Sequence, residues 1–318
     1  MFELLLWLAL FTAGYLLIYF AADFFIDNLK ELSLTYKLSP FVVGLIILGI
    51  DPEESIASII AALNGLTYIS VGNVIGNSII SLTLCFSLPA LYYEVKFKRV
   101  SQFYFWLIYV CLIAMLMGFF VSYGFFISCI IALIVYFVYL YRNFKHFSEE
   151  DVQRLIKDRE FEEEKEEGEE VKSKVKMILF VIISFLFIFL GGELLIFATD
   201  KIIELTGISE SLFGFVIIGF VTNVEEITLV IKSIKKHSVE IGLGGMIGKL
   251  IWNLTITYGI SGLIAINIIF IWILLWNWLL LLIIVIFFNI RTKKELLTRV
   301  DGAILAILFV VFLIINFI

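Results

Sequence analysis

Of 318 residues, 62% are hydrophobic and only 16% are charged, and phenylalanine alone supplies 32. Such a chain has no means of hiding its apolar surface as a water-soluble domain, so it reads as an all-α polytopic membrane protein. The net charge of −6 sits in a few segments and says little about a soluble partner.

In chain order, apolar runs long enough to span a bilayer fall near 2–24, 40–63, 69–92, 102–120, 122–141, 177–198, 210–232, 239–261, 265–290 and 299–318. The first follows Met1-Phe2-Glu3 with no basic segment before it, so it is expected to be a membrane helix rather than a cleaved signal. Five runs precede the charged stretch 142–176 and five follow it. The expected organisation is therefore a first membrane unit over 1–141, a linker over 142–176 and a second unit over 177–318. The linker ends in EFEEEKEEGEEVKSKVK, which cannot enter a bilayer and reads as a solvated helix held by Glu–Lys pairs. Lys30, Lys37, Lys96, Lys98, Arg99, nine linker residues, Lys232, Lys235, Lys236, Arg291, Lys293, Lys294 and Arg299 all fall on one side. That is 21 of the 23 basic residues, and it assigns that side as cytoplasmic and both termini as outside. Cys85, Cys111 and Cys129 lie in apolar runs without ligand spacing and read as small buried hydrophobes.

The two halves repeat. A shift of 172 carries Glu53, Glu54, Gly72, Ile75, Gly76, Ile79, Leu82 and Thr83 onto Glu225, Glu226, Gly244, Ile247, Gly248, Ile251, Leu254 and Thr255. Gly44 meets Gly214 only at a shift of 170, so the first copy lacks two residues near Gly49-Ile50-Asp51-Pro52. GYLLIYFAAD (Gly14 to Asp23) resembles GGELLIFATD (Gly191 to Asp200) at a shift of 177. Five helices per half is an odd number, so the second copy enters the membrane upside down. The fold expected is ten transmembrane helices in two inverted five-helix repeats, with a site near the midplane where the repeats meet.

Each copy places a pair of glutamates in an apolar run, where ionised groups are costly and functional by default. Asp51 and Glu54 share a helix face at i, i+3, as do Asn223 and Glu226. Glu53 and Glu225 point about 100° away on a helix. Pro52 interrupts the second run, because it lacks an N–H and clashes with the preceding turn. In the partner runs, GNVIGNSIIS and GGMIGKLIWN share a Gly-x-x-x-Gly that reads as close helix packing through Gly72, Gly76, Gly244 and Gly248. The next polar side chains, Asn77 with Ser81 and Lys249 with Asn253, are each spaced i, i+4. Carboxylate, amide and hydroxyl oxygens facing one another suit a hard cation such as Na⁺ or Ca²⁺. His146 and His237 lie among charges at loop edges and read as solvated.

With these motifs the chain resembles the calcium/cation antiporter superfamily, nearest in layout to prokaryotic sodium/calcium exchangers. That family has two repeats with a Gly-Thr-Ser-x-Pro-Glu-like break followed by Gly-Asn-x-x-Gly-Ser-Asn-x-x-Asn/Asp. Here these correspond to GIDPEE with GNVIGNSIIS, and to VTNVEE with GGMIGKLIWN. The resemblance implies alternating access, with the first and sixth helices sliding across a core that binds cations in turn. It carries the ion-binding glutamates onto Glu54 and Glu226, and the flanking ligands onto Asp51, Asn223, Asn77, Ser81, Lys249 and Asn253. It implies transported Ca²⁺ or Na⁺, with H⁺ a further option, in an inner membrane. No cofactor, nucleic-acid partner or enzymatic activity is expected.

Three departures bear on the chemistry. The residue before each key glutamate is Glu53 or Glu225 where the family has Pro, and the missing residues leave Glu53 a rival ligand to Glu54. The last acidic position of the second repeat is Asn253. A small hydroxyl residue is replaced by Lys249, which lies about ten residues into its helix, roughly 15 Å from either end at 1.5 Å per residue. That depth argues against snorkelling. Its ammonium then either occupies a cation position permanently or titrates and couples transport to protons, burial and nearby carboxylates pulling its pKa in opposite directions. Two alternatives to a sodium/calcium exchanger remain open: a proton-coupled or sodium/proton variant, and a non-transporting scaffold or receptor that keeps the fold.

Overall fold

The computed structural model describes residues 2–35, 51–96, 100–121, 123–145, 174–219, 223, 239–266 and 268–317. The helices are α1 (Phe2–Thr35), α2 (Pro52–Leu63), α3 (Thr67–Tyr92), α4 (Gln102–Phe120), α5 (Gly124–Lys145) and α6 (Lys174–Thr206). They continue as α7 (Glu210–Leu212), α8 (Val239–Trp252), α9 (Tyr258–Ala265), α10 (Trp272–Lys294) and α11 (Arg299–Phe317). The short α7 runs into a π-helical segment, Phe213–Ile218, and a second π-helical segment, Asn253–Thr257, joins α8 to α9. Among the described residues, α1, α3, α4, α5, α6, α10 and α11 are long and apolar enough to cross a membrane.

The core is organised around α3, whose span is 83% buried. Its sequence explains why it sits at the centre: Ser70, Gly72, Gly76, Ser78, Ser81 and Ser87 keep the surface small enough for helices to close on it from every side. A Cβ on Gly72 would lie 3.0 Å from the Phe215 amide nitrogen, and one on Gly214 would lie 2.7 Å from the Ile69 Cα. The α3 backbone therefore rests directly on the Phe213–Ile218 segment. Gly248, by contrast, lines a cavity of about 160 Å³ shared with Tyr104, Tyr139 and Ile251. Gly244 belongs to α8.

Outside this core, α1 and α6 form a pair of their own. Gly14 and Gly191 face each other, each placed so that a Cβ would lie 2.9 Å from the other's carbonyl oxygen. These two glycines are the ones related by the 177 shift. α6 also lies over α2, since a Cβ on Gly192 would fall 2.5 Å from Ile60 Cδ1. Leu16, Phe20, Phe185, Leu186 and Phe197 of the same pair are exposed, as lipid-facing residues must be.

Several boundaries differ from the apolar runs. α1 continues to Thr35 and α6 to Thr206 because their polar ends still close helical hydrogen bonds, to which hydropathy is blind. The run at 265–290 starts as a helix only at Trp272. Ile266 takes φ 64° and its N–H closes on the Gly262 carbonyl, ending α9 inside an apolar stretch. The all-α expectation also misses a two-residue antiparallel ladder, Val95↔Leu297 and Lys96↔Leu296. It pairs the backbone of the loop after α3 with that of the α10–α11 loop, where Asp301 is held by Arg291 at 2.5 Å. Residues 36–50, 146–173 and 224–238, with Gly44, most of the linker, His146, His237, Glu225 and Glu226, lie outside the described residues.

Candidate functional site

The site begins where α2 begins. Asp51 is the N-cap and its Oδ1 accepts the Glu54 N–H at 3.2 Å. Pro52 follows at the first helical position, where its missing N–H costs nothing. The helix N-terminus favours the carboxylates of Asp51, Glu53 and Glu54. Glu53 is 8% exposed and Glu54 only 1%. The i, i+3 spacing puts Asp51 and Glu54 on one face, and that face meets α8.

Lys249 comes from α8 in the other half of the chain. Its Nζ lies 2.7 Å from Asp51 Oδ2 and 2.8 Å from Glu54 Oε1. The second Glu54 oxygen, Oε2, accepts from Asn253 Nδ2 at 2.5 Å. The same Nδ2 reaches Asn77 Oδ1 at 3.4 Å. Ser81 Oγ donates toward Asn77 Oδ1 at 3.1 Å and Asn223 Oδ1 at 2.5 Å, and Asn223 Nδ2 donates to the Gly219 carbonyl at 2.6 Å. Asp51, Lys249, Glu54, Asn253, Asn77, Ser81 and Asn223 thus form one continuous polar chain linking the two halves. Asn77, Asn223 and Asn253 are at most 1% exposed.

A supporting shell escapes sequence reasoning. Asn253 Oδ1 accepts from Thr257 Oγ1 at 3.3 Å, Thr257 shares a 2.7 Å hydrogen bond with Ser55, and Ser55 Oγ accepts from Trp252 Nε1 at 2.8 Å. Asn73 Nδ2 donates to the Glu54 carbonyl at 3.3 Å and to Ser58 Oγ at 2.9 Å. Asn73 is the asparagine of the Gly-Asn motif and Thr257 lies four residues after Asn253, positions that local spacing does not distinguish from ordinary polar residues of a helix. Asn253 and Thr257 stand at the two ends of the π-helical segment, a kind of turn frequent at functional sites.

Among the described residues, no group of three or more His, Cys, Asp or Glu side chains is placed to hold a metal ion. The two carboxylates that meet α8 face an ammonium, and the other oxygens around them belong to amides and hydroxyls.

Apolar helices of membrane-crossing length around a buried polar network define a multi-pass helical membrane protein with charged side chains in its core. The model of the sodium/calcium exchanger protein family matches residues 6–145 and 176–318. A membrane protein of Methanocaldococcus jannaschii, MJ0091, is 24% identical over 253 residues, covering 77% of this chain and 78% of that protein. The sodium-calcium exchanger NCX_Mj superposes with a TM-score of 0.60 at 20% identity, over 97% of this chain and 98% of that one. The H⁺/Ca²⁺ exchanger CAX superposes with a TM-score of 0.74 at 15% identity, over 97% and 82%. At these identities the structural likeness is one of fold. The chain belongs to the sodium/calcium exchanger family and is a membrane cation exchanger.

Proposed function

We propose that this protein is a secondary-active antiporter of the sodium/calcium exchanger type, working by alternating access around a midplane site of paired glutamates, Glu54 and Glu226. The observation that carries this is the polar chain from Asp51 to Asn223, whose members come from both halves and are buried among apolar helices. Buried polar groups inside a membrane protein mark ion pathways. Ten helices in two inverted repeats follow from the 172 and 177 shifts, with Glu226 the partner of Glu54. The tight Gly14–Gly191 contact makes α1 and α6 a unit that can slide over α2. The outside termini and cytoplasmic linker follow from the distribution of Lys and Arg, and the inner membrane from the resemblance to prokaryotic exchangers. On this reading the protein is a transporter rather than an enzyme.

The Lys249 contact with Asp51 and Glu54 favours a second reading, a sodium/proton or proton-coupled variant. One experiment separates the two. Purified protein in proteoliposomes is screened for flux under Ca²⁺, Na⁺, K⁺, Mg²⁺ and H⁺ gradients. Sodium-driven calcium flux supports the first reading, and flux driven only by a proton gradient supports the second. No flux under any gradient removes both and returns the protein to a scaffold or receptor role.

A further inference from the structure

Resting on the antiport reading, we infer that Lys249 is a resident cation: its ammonium fills one cation position of the site throughout the cycle. The site therefore loads one positive charge fewer than its carboxylates would otherwise take. Each carboxylate has one oxygen committed to the frame of the protein. Asp51 Oδ1 caps α2 through the Glu54 N–H, and Glu54 Oε2 receives Asn253. The remaining oxygen of each, Asp51 Oδ2 and Glu54 Oε1, is the one on which Lys249 Nζ sits, at 2.7 and 2.8 Å. A calcium ion would stand about 2.3–2.6 Å from those same oxygens, so ion and ammonium exclude each other.

The ammonium has the stronger claim. It is attached to α8 and competes as an intramolecular ligand at high effective concentration, whereas an ion arrives from dilute solution. It is also not a snorkelling lysine, whose head group would lie in water; Lys249 is only 8% exposed. The resident ammonium therefore offsets one of the negative charges that the cargo would otherwise balance.

The test is calorimetric titration of NaCl and CaCl₂ into the purified wild-type protein, K249S and K249R. K249S is expected to take up one more positive charge per molecule than wild type, and K249R, which keeps a cation there, to match wild type. Equal uptake by wild type and a folded K249S overturns the inference. If K249S does not fold, the wild-type structure in calcium- or strontium-soaked crystals decides. An ion between Asp51 and Glu54 with the lysine displaced overturns it, and the ammonium retained between the carboxylates in every condition supports it. Flux without a change in uptake sinks the resident cation alone. Absence of all flux sinks antiport, while the uptake comparison still decides what occupies the carboxylates.

Discussion

Gly76 of α3 lies against the carbonyl of Phe215 so closely that a methyl group has no space there. The obstacle is backbone rather than the end of a flexible side chain, so the two segments themselves would have to part. Asn77 follows Gly76 directly, and a Cβ on Gly219 would meet the Asn77 amide nitrogen at 3.0 Å. G76A should therefore cost about 1–3 kcal/mol of stability, the usual range for overpacking. It should also lower flux by moving Asn77 and Ser81 away from Asn223. G65A is the control: Gly65 has φ +77° with open space around it, so Ala should cost about 1–2 kcal/mol through backbone strain and leave flux unchanged. Thermal unfolding in detergent and flux in proteoliposomes check both. Equal effects of the two variants on flux would contradict the packing account.

The two glutamates of the first copy should separate functionally. Glu54 places both carboxylate oxygens against α8, at Lys249 and Asn253. E54Q is expected to abolish flux while the protein still inserts. It should also lose roughly 3 kcal/mol, the low end for breaking a buried ion pair, because Asp51 still holds the lysine. E53Q should retain flux. An inactive E53Q beside an active E54Q would move the essential carboxylate by one residue.

How much of this was legible in the sequence depends on how far a residue's role is local. Asp51 and Glu54 share a face because of their spacing, and a lysine ten residues into an apolar run announces a buried charge without any structure. The Gly14–Gly191 contact was visible as a repeat of helices rather than as a contact. Ser55, Thr257 and Trp252 were not legible, since helices carry such residues everywhere and only the approach of α8 to α2 makes them partners. Hydropathy likewise misplaced the ends of α1 and α6 and missed the break at Ile266. Helix ends are set by backbone hydrogen bonds, and the Ile266 break falls within an apolar run. The Val95–Leu297 pairing depends on two distant loops meeting, which no local pattern encodes.

Asp301 should prove important for stability and irrelevant to transport. It is fully buried, its Oδ1 meets Arg291 Nη2 at 2.5 Å, and its Oδ2 accepts from Thr298 N and Oγ1, both at 2.8 Å. The pair locks the α10–α11 turn that carries the Leu296–Leu297 strand. D301N keeps an acceptor for Thr298 but leaves the guanidinium without its counter-charge, which should cost about 3 kcal/mol. The melting temperature should fall while flux per folded molecule is unchanged. A flux defect at full stability would place Asp301 in the transport pathway instead.

Asn277 of α10 and Asn316 of α11 exchange reciprocal hydrogen bonds, Nδ2 to Oδ1 at 3.0 and 2.9 Å. Both are buried, and each Nδ2 also donates to a carbonyl one turn back, Ile273 and Phe312 respectively. Because of those intrahelical bonds, neither side chain is left wholly unsatisfied when its partner is removed. N277A and N316A should each be tolerated, and a double-mutant cycle should return a coupling of about 1 kcal/mol, within the range found for polar pairs between membrane helices. A coupling near zero would mean that the two helices are held by apolar packing alone. A coupling well above about 2 kcal/mol would mean that the pair is more than a local clamp, and that losing it lets α11 separate from α3 as well.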